Sequence, residues 1–446
     1  MTHRKLSRPG VVALVLLLAV AACGKGKSGS GGGPTTGTKG PSQVNVYGVD
    51  GNTNNALGDG FKEDNSLAGM KGTAPLSKLS DDFVRRLKEQ DPKVEDVTFA
   101  GETYDAIVVS ALAAQAARSS DPRTFARYVN GVTAAPGEKC TSFKACKEFL
   151  DAGKEINYDG VSGPLEFTDQ GEPSVASYGI RQFGGNNKLD DKLTRYVQAG
   201  DARMATRQPQ PAPVPASHEF VGGPLKFGEL LPYTGSLAFI GPPLIAACAV
   251  AVKEINAAGG VGGEAVVLRT GDSGDTSTNI AAGTVDKHLQ EGVDVIIGGT
   301  ASSVVLKVID KVVTAGKIMF SPTNTADSFT TYDDKGLYFR TAPPDAIQAQ
   351  ALADVIVNDG NQRVVILAIA DAYGTGLMTN TKSNLEKASI RADSIQTLPY
   401  EANASDFSAQ VAKAKEFRPD AIVVIGFDES KTLIKQLNEK GVGPRR

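Results

Sequence analysis

The sequence contains no tryptophan and only three histidines, His3, His218 and His288. So few imidazoles leave little material for a metal site or for a catalytic triad that needs a histidine base. The chain also has no G-x-x-x-x-G-K-[ST] phosphate loop and no G-x-S-x-G nucleophile elbow. We therefore expect a protein that is not an enzyme, with no metal site and no cofactor, and we expect His288 to lie on a solvated helix face.

A surplus of basic residues is absent as well, since 47 Lys and Arg face 50 Asp and Glu, for a net charge of −3. This balance argues against a nucleic-acid partner. The length of 446 residues allows two or three domains, each with its own core.

The first 23 residues have a cationic start and an apolar run, 11–20, that is too short to cross a bilayer. This pattern predicts a secretory signal peptide. Its ending, VAAC, resembles the lipobox of bacterial lipoproteins, in which the cysteine, here Cys23, is acylated. The alternative is an ordinary cleaved signal with a chance cysteine. Residues 24–42 are rich in Gly and Ser and predict a flexible linker, so we expect an extracytoplasmic protein that is lipid-anchored to the outer face of the cell membrane.

Four cysteines are present, and export permits disulfides. Cys140 and Cys146 lie six positions apart beside a predicted helix, and we expect them to pair. The alternative is half of a zinc site, although no histidine or further cysteine is near in sequence to complete it. Cys248 lies in an apolar helix pattern and is expected to be a small buried residue.

A second linker, RQPQPAPVPAS, is rich in proline and divides the folded part of the chain in two. The segment after it alternates short apolar runs with amphipathic stretches, which indicates parallel strands joined by helices. The segment before it predicts one strand, four helices and a hairpin-like pair at 163–173 and 176–184. The predicted strands are 44–49, 226–231, 265–269, 293–297, 317–320, 363–369 and 420–425, and the predicted helices are 81–89, 104–118, 122–130, 143–152, 243–257, 278–290, 302–315, 346–358, 374–387, 406–415 and 429–440.

Motifs across 226–446 carry a family resemblance. They include FGELLPYTGSLAFIGPP, GVDVIIGGTASS, YFRTAPPDAIQAQALAD, ADAYGTGL and LIKQLNEKGVGP. Together they resemble the type I periplasmic binding proteins, and within them the branched-chain amino acid substrate-binding lipoproteins of ABC transporters, of actinobacterial type. The resemblance implies an α/β fold of two doubly wound Rossmann-like lobes joined by a three-stranded hinge.

The segment 43–199 resembles the carboxyl-terminal portion of the same family, in VNVYGVDGN and YDGVSGPLEFTDQGEPSVASYGIRQF among other stretches. The family's two portions thus stand in circularly permuted order. The alternative is a swapped oligomer, in which each segment completes another copy. The predicted domains are the signal peptide 1–23, the linker 24–42, the family's carboxyl-terminal portion 43–199 with parts of both lobes, the Pro-rich linker 200–218, lobe 1 at 219–341 and lobe 2 at 342–446.

The resemblance implies a ligand site between the lobes. On lobe 1, Ser302 matches the family's carboxylate-binding serine, Thr323 would contribute its main chain and Thr325 its hydroxyl. Free N–H groups at a helix start also favour an anion there. The alternatives are a plain N-cap for Ser302 and local turn hydrogen bonds for the threonines.

On lobe 2 the matching positions are Tyr373, Phe427 and Asp50. Asp50 is the candidate partner of a ligand ammonium group, with a β-turn role as the alternative. Tyr373 would pack on the ligand or simply begin its helix.

The expected function is an extracytoplasmic receptor that captures a small amino acid-like ligand and delivers it to the permease subunits of an ABC importer. The alternative is a ligand-sensing regulatory protein for an amide or another small polar metabolite.

Overall fold

The computed structural model describes residues 44–444, so the predicted signal peptide, the Gly/Ser linker and Cys23 lie outside the described residues. Helices and strands alternate along most of this range. The strands are β1 (Asn45–Gly48), β2 (Lys71–Pro75), β3 (Glu138–Cys140), β4 (Ile156–Tyr158), β5 (Val175–Gln182), β6 (Arg195–Gly200), β7 (Lys226–Leu230), β8 (Val267–Arg269), β9 (Val295–Gly298), β10 (Ile318–Ser321), β11 (Tyr338–Arg340), β12 (Val364–Ile369), β13 (Ile395–Tyr400) and β14 (Ala421–Ile425).

The α-helices have clear sequence starts in several places, with Ser80, Ser142 and Asp371 each accepting a hydrogen bond from a backbone N–H of the first turn. The helices are α1 (Asn55–Gly58), α2 (Asp81–Gln90), α3 (Ala100–Ala117), α4 (Pro122–Phe125), α5 (Phe143–Asp151), α6 (Gly241–Ala257), α7 (Ile280–Gln290), α8 (Ser302–Val305), α9 (Ile309–Thr314), α10 (Asp345–Asn358), α11 (Ala372–Lys387), α12 (Ser408–Phe417) and α13 (Ser430–Glu439).

Lobe 1 is built on a five-stranded parallel sheet of order β11-β10-β9-β7-β8. Its central strands β9 and β10 are buried at every position, as expected for a parallel sheet covered by helices on both faces. The core of lobe 1 draws on two stretches of the chain, 83–167 and 225–342.

Lobe 2 is built on a seven-stranded sheet of order β13-β12-β14-β1-β2-β5-β6. The first five strands are parallel, and β5 and β6 add an antiparallel edge. Its core draws on 44–70, 180–183 and 349–442, so three separate parts of the chain form one lobe. The predicted fold class, two Rossmann-like lobes, is confirmed.

The chain passes between the two cores at three places, between 70 and 83, between 167 and 180, and between 342 and 349. The Pro-rich linker makes a further connection, because it runs from β6 in lobe 2 to β7 in lobe 1. The linker is hydrogen-bonded to lobe 1. The Val214 N–H donates to the Ala116 carbonyl at 2.8 Å, and the Thr206 N–H donates to the Phe167 carbonyl at 2.7 Å.

Helix α3 is buried along its whole length and packs against α6 and α5 in lobe 1. The helix sequence is AGETYDAIVVSALAAQAA, and its many alanines leave room for the neighbouring helices to pack against it. The stretch Ala238–Ala257, which contains α6, is the one helical stretch among residues 44–444 that is apolar and long enough to cross a membrane, and half of it is buried inside the lobe.

Several sequence predictions need correction. The strand 176–184 does not pair with 163–173, because β5 lies between β2 and β6, and the earlier stretch makes only isolated bridges. The helix predicted at 302–315 is two short helices, α8 and α9, separated by a turn at 306–308.

His288 is also corrected, since it is fully buried rather than solvated. Its Nε2 lies 2.7 Å from the Glu229 carbonyl oxygen. The absence of a side chain at Gly228 leaves room for the imidazole ring, since a Cβ there would lie 2.9 Å from it. Burial lowers the pKa of His288.

The disulfide prediction is confirmed, because Cys140 and Cys146 are bonded to each other. The bond ties the end of β3 to α5. Cys248 is free and buried, as expected.

Candidate functional site

All six residues predicted to bind a ligand line one small cavity between the lobes. The two lobes contribute opposite walls, because the carboxyl ends of their parallel strands face each other across the cleft. The remaining wall positions are Gly51, Phe99, Ile240, Thr300 and Ala301.

The lobe 1 wall is rich in hydroxyl groups that follow β9 and β10. Ser302 is the first residue of α8 and its Oγ accepts from the Ala326 N–H at 3.4 Å, while the cap position belongs to Ala301. The plain N-cap alternative for Ser302 therefore does not apply. The Thr323 hydroxyl donates to the Thr300 carbonyl at 2.9 Å, which joins the loop after β10 to the loop after β9 and is not a local turn hydrogen bond.

A buried arginine fixes the loop that carries these threonines. Arg340 donates from Nη1 to the carbonyl oxygens of Asn324 at 3.1 Å and Ala326 at 2.9 Å. Its Nη2 and Nε both reach Glu172 Oε2, at 2.5 and 2.9 Å. Both charged side chains are almost completely buried, so this ion pair is not a surface salt bridge. It holds the loop after β10 in place.

The lobe 2 wall is centred on Asp50, which is 7% exposed. Its Oδ1 accepts from the Tyr373 hydroxyl at 2.7 Å and from Gln348 Nε2 at 2.8 Å. Burial raises the pKa of Asp50, and these two hydrogen bonds oppose that effect. The backbone of Asp50 does form a turn, with the Asn52 N–H donating to the Val49 carbonyl, so the turn role and a cleft-facing carboxylate occur together.

Gly51 allows Asp50 to stand this close to the neighbouring strand. A Cβ at Gly51 would lie 2.5 Å from the Gly426 carbonyl oxygen, in the loop after β14 that carries Phe427. The Phe427 ring stacks on Tyr373 with ring centroids 5.3 Å apart. The two aromatic rings therefore form one continuous surface beside the Asp50 carboxylate.

The space left between these walls is about 20 Å³. That volume holds about one water molecule, whereas small-molecule sites take roughly 300–1,000 Å³. Contacts across the cleft close it, with Asn380 of α11 donating to Asp327 of lobe 1 and Ser303 of α8 lying beside the Asp371 carboxylate. A ligand the size of an amino acid therefore requires the lobes to separate.

Two residues near the site were missed by sequence reasoning, although both lie in the quoted motif YFRTAPPDAIQAQALAD. Gln348 donates to Asp50, and Asp345 is fully buried, with its backbone N–H donating to the Thr325 carbonyl at 2.7 Å. Gln348 lies within the helix predicted at 346–358, whereas Asp345 precedes the predicted start and is the first residue of α10. The sequence predicted neither their burial nor their partners.

The cleft can bind a small molecule with opposite charges at its two ends. Hydroxyl and N–H donors face it from lobe 1, and a carboxylate faces it from lobe 2. In residues 44–444 no three His, Cys, Asp or Glu side chains are grouped as metal ligands would be.

Two family descriptions match the chain. "Periplasmic binding protein" matches residues 224–446, and "Receptor family ligand binding region" matches residues 53–186. The chain belongs to the type I periplasmic binding protein family. This is a family of substrate-binding proteins rather than enzymes.

Curated relatives of this binding protein include "Leu/Ile/Val-binding protein homolog 3" of Brucella melitensis, which is 30% identical over 226 residues. That alignment covers 49% of this chain and 59% of the relative. The "Leucine-, isoleucine-, valine-, threonine-, and alanine-binding protein" of Pseudomonas aeruginosa is 28% identical, over 52% of this chain and 61% of its own. The matched part thus spans about three fifths of each relative.

Among solved structures, a leucine-binding protein from Thermotoga maritima is 25% identical with a TM-score of 0.42, over 49% of this chain and 61% of that one. A branched-chain amino acid binding protein from Streptococcus pneumoniae, in complex with isoleucine, is 25% identical with a TM-score of 0.41, over 50% and 63%.

Proposed function

We propose that this protein is an extracytoplasmic solute-binding receptor that captures a small amino acid-like ligand between its lobes and delivers it to an ABC importer. The observation that carries the proposal is the meeting of six residues from both lobes at one cavity, with hydroxyls on one wall and a carboxylate on the other. The named specificities of the relatives, leucine, isoleucine and valine among them, support an aliphatic amino acid.

Each wall has a role in this proposal. Ser302, Thr323 and Thr325 bind the ligand carboxylate through hydroxyl and main-chain donors. Asp50 accepts from the ammonium group, and Tyr373 and Phe427 pack against the ligand carbon atoms. Binding closes the hinged lobes, and the closed shape is what the permease subunits recognise.

The proposal includes a cellular location for the protein, which is based on its first 42 residues. Residues 1–23 direct export, Cys23 carries the lipid that anchors the protein to the outer face of the cell membrane, and 24–42 form a linker above it. The folded part divides at the predicted boundaries, 43–199, 200–218, 219–341 and 342–446.

The circularly permuted order is part of the proposal. It is supported by the neighbours of β1, which lies between β14 and β2 with Asn45 opposite Ala421. In an unpermuted chain, α13 would lead from β14 straight into β1 as a standard βαβ crossover. Pairing of β1 with β14 within one chain also favours permutation over a swapped oligomer.

A thermal-shift panel of the twenty amino acids tests the function, because a ligand that binds only the folded state raises the melting temperature by mass action. We expect leucine, isoleucine or valine to raise it. A cooperative transition that no amino acid moves would contradict the proposal.

Replacing Asp50 with Asn tests the site itself. The variant keeps the shape but removes the charge that faces the ammonium, and loss of one partner of a buried charged pair costs about 2–5 kcal/mol of binding free energy. Calorimetry with the amino acid that gives the largest thermal shift should therefore find at least about 30-fold weaker binding. Asp428→Asn is the control. Asp428 follows the site residue Phe427 in the chain, but it pairs with Lys431 and does not line the cavity. Equal losses in both variants would remove Asp50 from the site.

A further inference from the structure

The Pro-rich linker begins inside the hinge, because the end of β6 lies against the second of the three places where the chain passes between the lobes. Gly200, the last residue of β6, is opposite Val175, the first residue of β5. One residue further on, the Asp201 N–H donates to the Ser174 carbonyl at 2.9 Å and continues the same antiparallel ladder. Ser174 lies in the crossing between 167 and 180. This crossing is therefore a pair of strands, and the linker supplies one of them.

The order of the hinge strands places the linker at their edge. On the other side of β5 the Leu76 N–H, in the first crossing, donates to the Ser177 carbonyl at 3.0 Å. The first crossing, the second crossing and the start of the linker thus lie side by side, as β2, β5 and β6 do in the lobe 2 sheet. The family resemblance implies three hinge strands, and the connection from β6 to β7 adds a fourth.

Gly200 also touches the third crossing, between 342 and 349. A Cβ built on Gly200 would lie 2.4 Å from the Ser174 carbonyl oxygen and 3.2 Å from Cδ1 of Ile347. The φ of Gly200 is +99°, in a region that residues with side chains rarely adopt. Glycine is required where the linker starts, because the linker packs closely against two of the three crossings.

Lobe 1 holds the linker a few residues later. Thr206 is 7% exposed, its N–H donates to the Phe167 carbonyl at 2.7 Å, and its hydroxyl donates to Asp169. Phe167 belongs to the lobe 1 core. Residues 201–205 of the linker therefore join the lobe 2 sheet to a fixed point on lobe 1.

The joining residues have little length in reserve. Ala202–Met204 form a 3₁₀ turn that is capped by Asp201, whose Oδ1 accepts from the Arg203 N–H at 2.9 Å. A 3₁₀ turn rises about 2.0 Å per residue and an extended chain about 3.4 Å, so unwinding this turn lengthens the segment by about 4 Å. To separate, the lobes must either bend both strands of the second crossing together or detach Asp201 and unwind the turn.

We propose that residues 200–206 are a fourth hinge strand that resists opening of the cleft and so controls ligand capture and release. A ligand the size of an amino acid enters and leaves only when the lobes separate, because the closed cavity is about 20 Å³. A hinge that resists separation lowers the fraction of open molecules, which slows both steps. It also favours the closed form that holds the ligand. The inference rests on the proposed function and adds a regulation of the same site.

The test lengthens the linker where it joins the lobes. A flexible Gly/Ser segment of about twelve residues is inserted between Ala202 and Arg203, which gives slack between the lobe 2 sheet and Thr206. Small-angle scattering without ligand should show a larger radius of gyration than in the control. Stopped-flow tyrosine fluorescence with L-leucine should show dissociation about fivefold faster, the effect of about one hydrogen bond on the opening equilibrium, and faster association as well. A variant with a damaged site would release L-leucine faster but would not bind it faster.

The matched control is the same insertion between Ala212 and Pro213. This part of the linker is anchored to lobe 1 on both sides, at Thr206 and at Val214, whose N–H donates to the Ala116 carbonyl at 2.8 Å. Slack here lengthens the linker without changing its connection across the hinge. The control should therefore keep the rates of the unaltered protein. Equal radii of gyration and equal rates in the two insertion variants would overturn the inference.

Gly200→Ala gives a second measurement that needs no insertion. Its Cβ presses on Ser174 and Ile347, so we expect the fourth strand to be displaced and L-leucine to dissociate faster. Gly360→Ala is its control, because Gly360 also has a positive φ, +82°, but a Cβ there would have no contact within 4 Å among residues 44–444. Both variants bear the backbone cost of alanine at positive φ, so a hinge effect is what separates them. Equal dissociation rates in these two variants would contradict the inference even if the lengthened chain does not fold.

The outcomes keep this inference apart from the proposed function. If no amino acid binds the unaltered protein, the proposed function fails, and the control of ligand capture fails with it. If L-leucine binds and each variant releases it at the same rate as its control, the receptor function stands and the inference is overturned. Should another amino acid give the largest thermal shift, that amino acid replaces L-leucine in every measurement.

Discussion

Buried carboxylates in this protein differ in how they are satisfied. Glu229, on β7, is 1% exposed, and its Oε2 accepts from the Tyr233 hydroxyl at 2.5 Å. Burial raises its pKa to about 7, while the Tyr233 hydroxyl and the Cys248 thiol oppose the shift. Tyr233 belongs to the loop between β7 and α6, so this hydrogen bond joins that loop to strand β7.

Glu229 predicts a pH dependence of stability. Between an ordinary pKa of about 4.5 and its folded pKa of about 7, the native state holds a proton that the unfolded state has lost. The unfolding free energy should therefore fall as pH rises through this window, and remain lower above it. Urea unfolding at pH 5 and pH 8 should show a smaller fall in Glu229→Gln than in the unaltered protein.

The comparison between the two chains is essential, because Glu102 and Asp105, with pKa values raised to about 8 and about 6 mainly by burial, act in the same direction. They contribute equally to both chains. Identical falls in the two proteins would show that Glu229 is ionised in the native state at pH 5.

The six site positions could be placed from the sequence because short motifs after strands carry them. Asp345 and Gln348 lie in a quoted motif but had no assigned role, since their burial and their hydrogen-bond partners depend on three-dimensional packing. His288 shows the same limit, because the space for its ring is made by Gly228, which is 60 positions away in the chain but lies on β7, the strand against which α7 packs.

At the scale of elements, the long helices and buried strands were predicted closely. The strand predicted at 363–369 is β12 at Val364–Ile369, and the helix predicted at 346–358 is α10 at Asp345–Asn358. The strands β2, KGTAP, and β6, RYVQAG, were missed. Their residues are not strongly apolar, and pairing makes them strands, with β1 and β5 as the partners of β2 and β5 as the partner of β6.

The buried Arg340–Glu172 ion pair should contribute to both stability and ligand binding. Glu172→Gln leaves the Arg340 charge buried without its counter-ion, and breaking a buried pair in this way costs about 3–5 kcal/mol. We expect that loss in urea unfolding, together with weaker ligand binding, because Arg340 fixes the loop carrying Thr323 and Thr325.

Lys139→Gln is the comparison for that experiment. Lys139 bridges Asp159 and Glu166 at the surface with half of its side chain exposed. Such pairs contribute about 0–1 kcal/mol. A similar small loss for Glu172→Gln would contradict a structural role for the buried pair.

At the scale of the whole molecule, polar contacts between the lobes set the balance between open and closed forms. Asn380 on α11 donates to Asp327 across the cleft. Asn380→Ala removes this contact, which is worth about 1 kcal/mol. We expect a larger radius of gyration in small-angle scattering without ligand, and binding about fivefold weaker, because closure costs more.

Asn384→Ala is the matched control, since Asn384 lies one turn further along α11 and donates to the Asn380 carbonyl within the same helix. It should leave both measurements unchanged. The same scattering curve for Asn380→Ala and the unaltered protein would mean that other contacts hold the cleft shut.

The middle of the seven-stranded sheet joins residues that are far apart in the chain, with Asn45 of β1 opposite Ala421 of β14. During synthesis β1 and β2 leave the ribosome early and can pair with each other, yet β1 cannot pair with β14 on its other side until residue 425 has been made. The strands β1, β2, β5 and β6 can pair with one another early, but the sheet of lobe 2 cannot be completed until the last part of the chain has been made. Under the export proposed above, the chain crosses the membrane unfolded, so all seven strands are available when the sheet of lobe 2 forms.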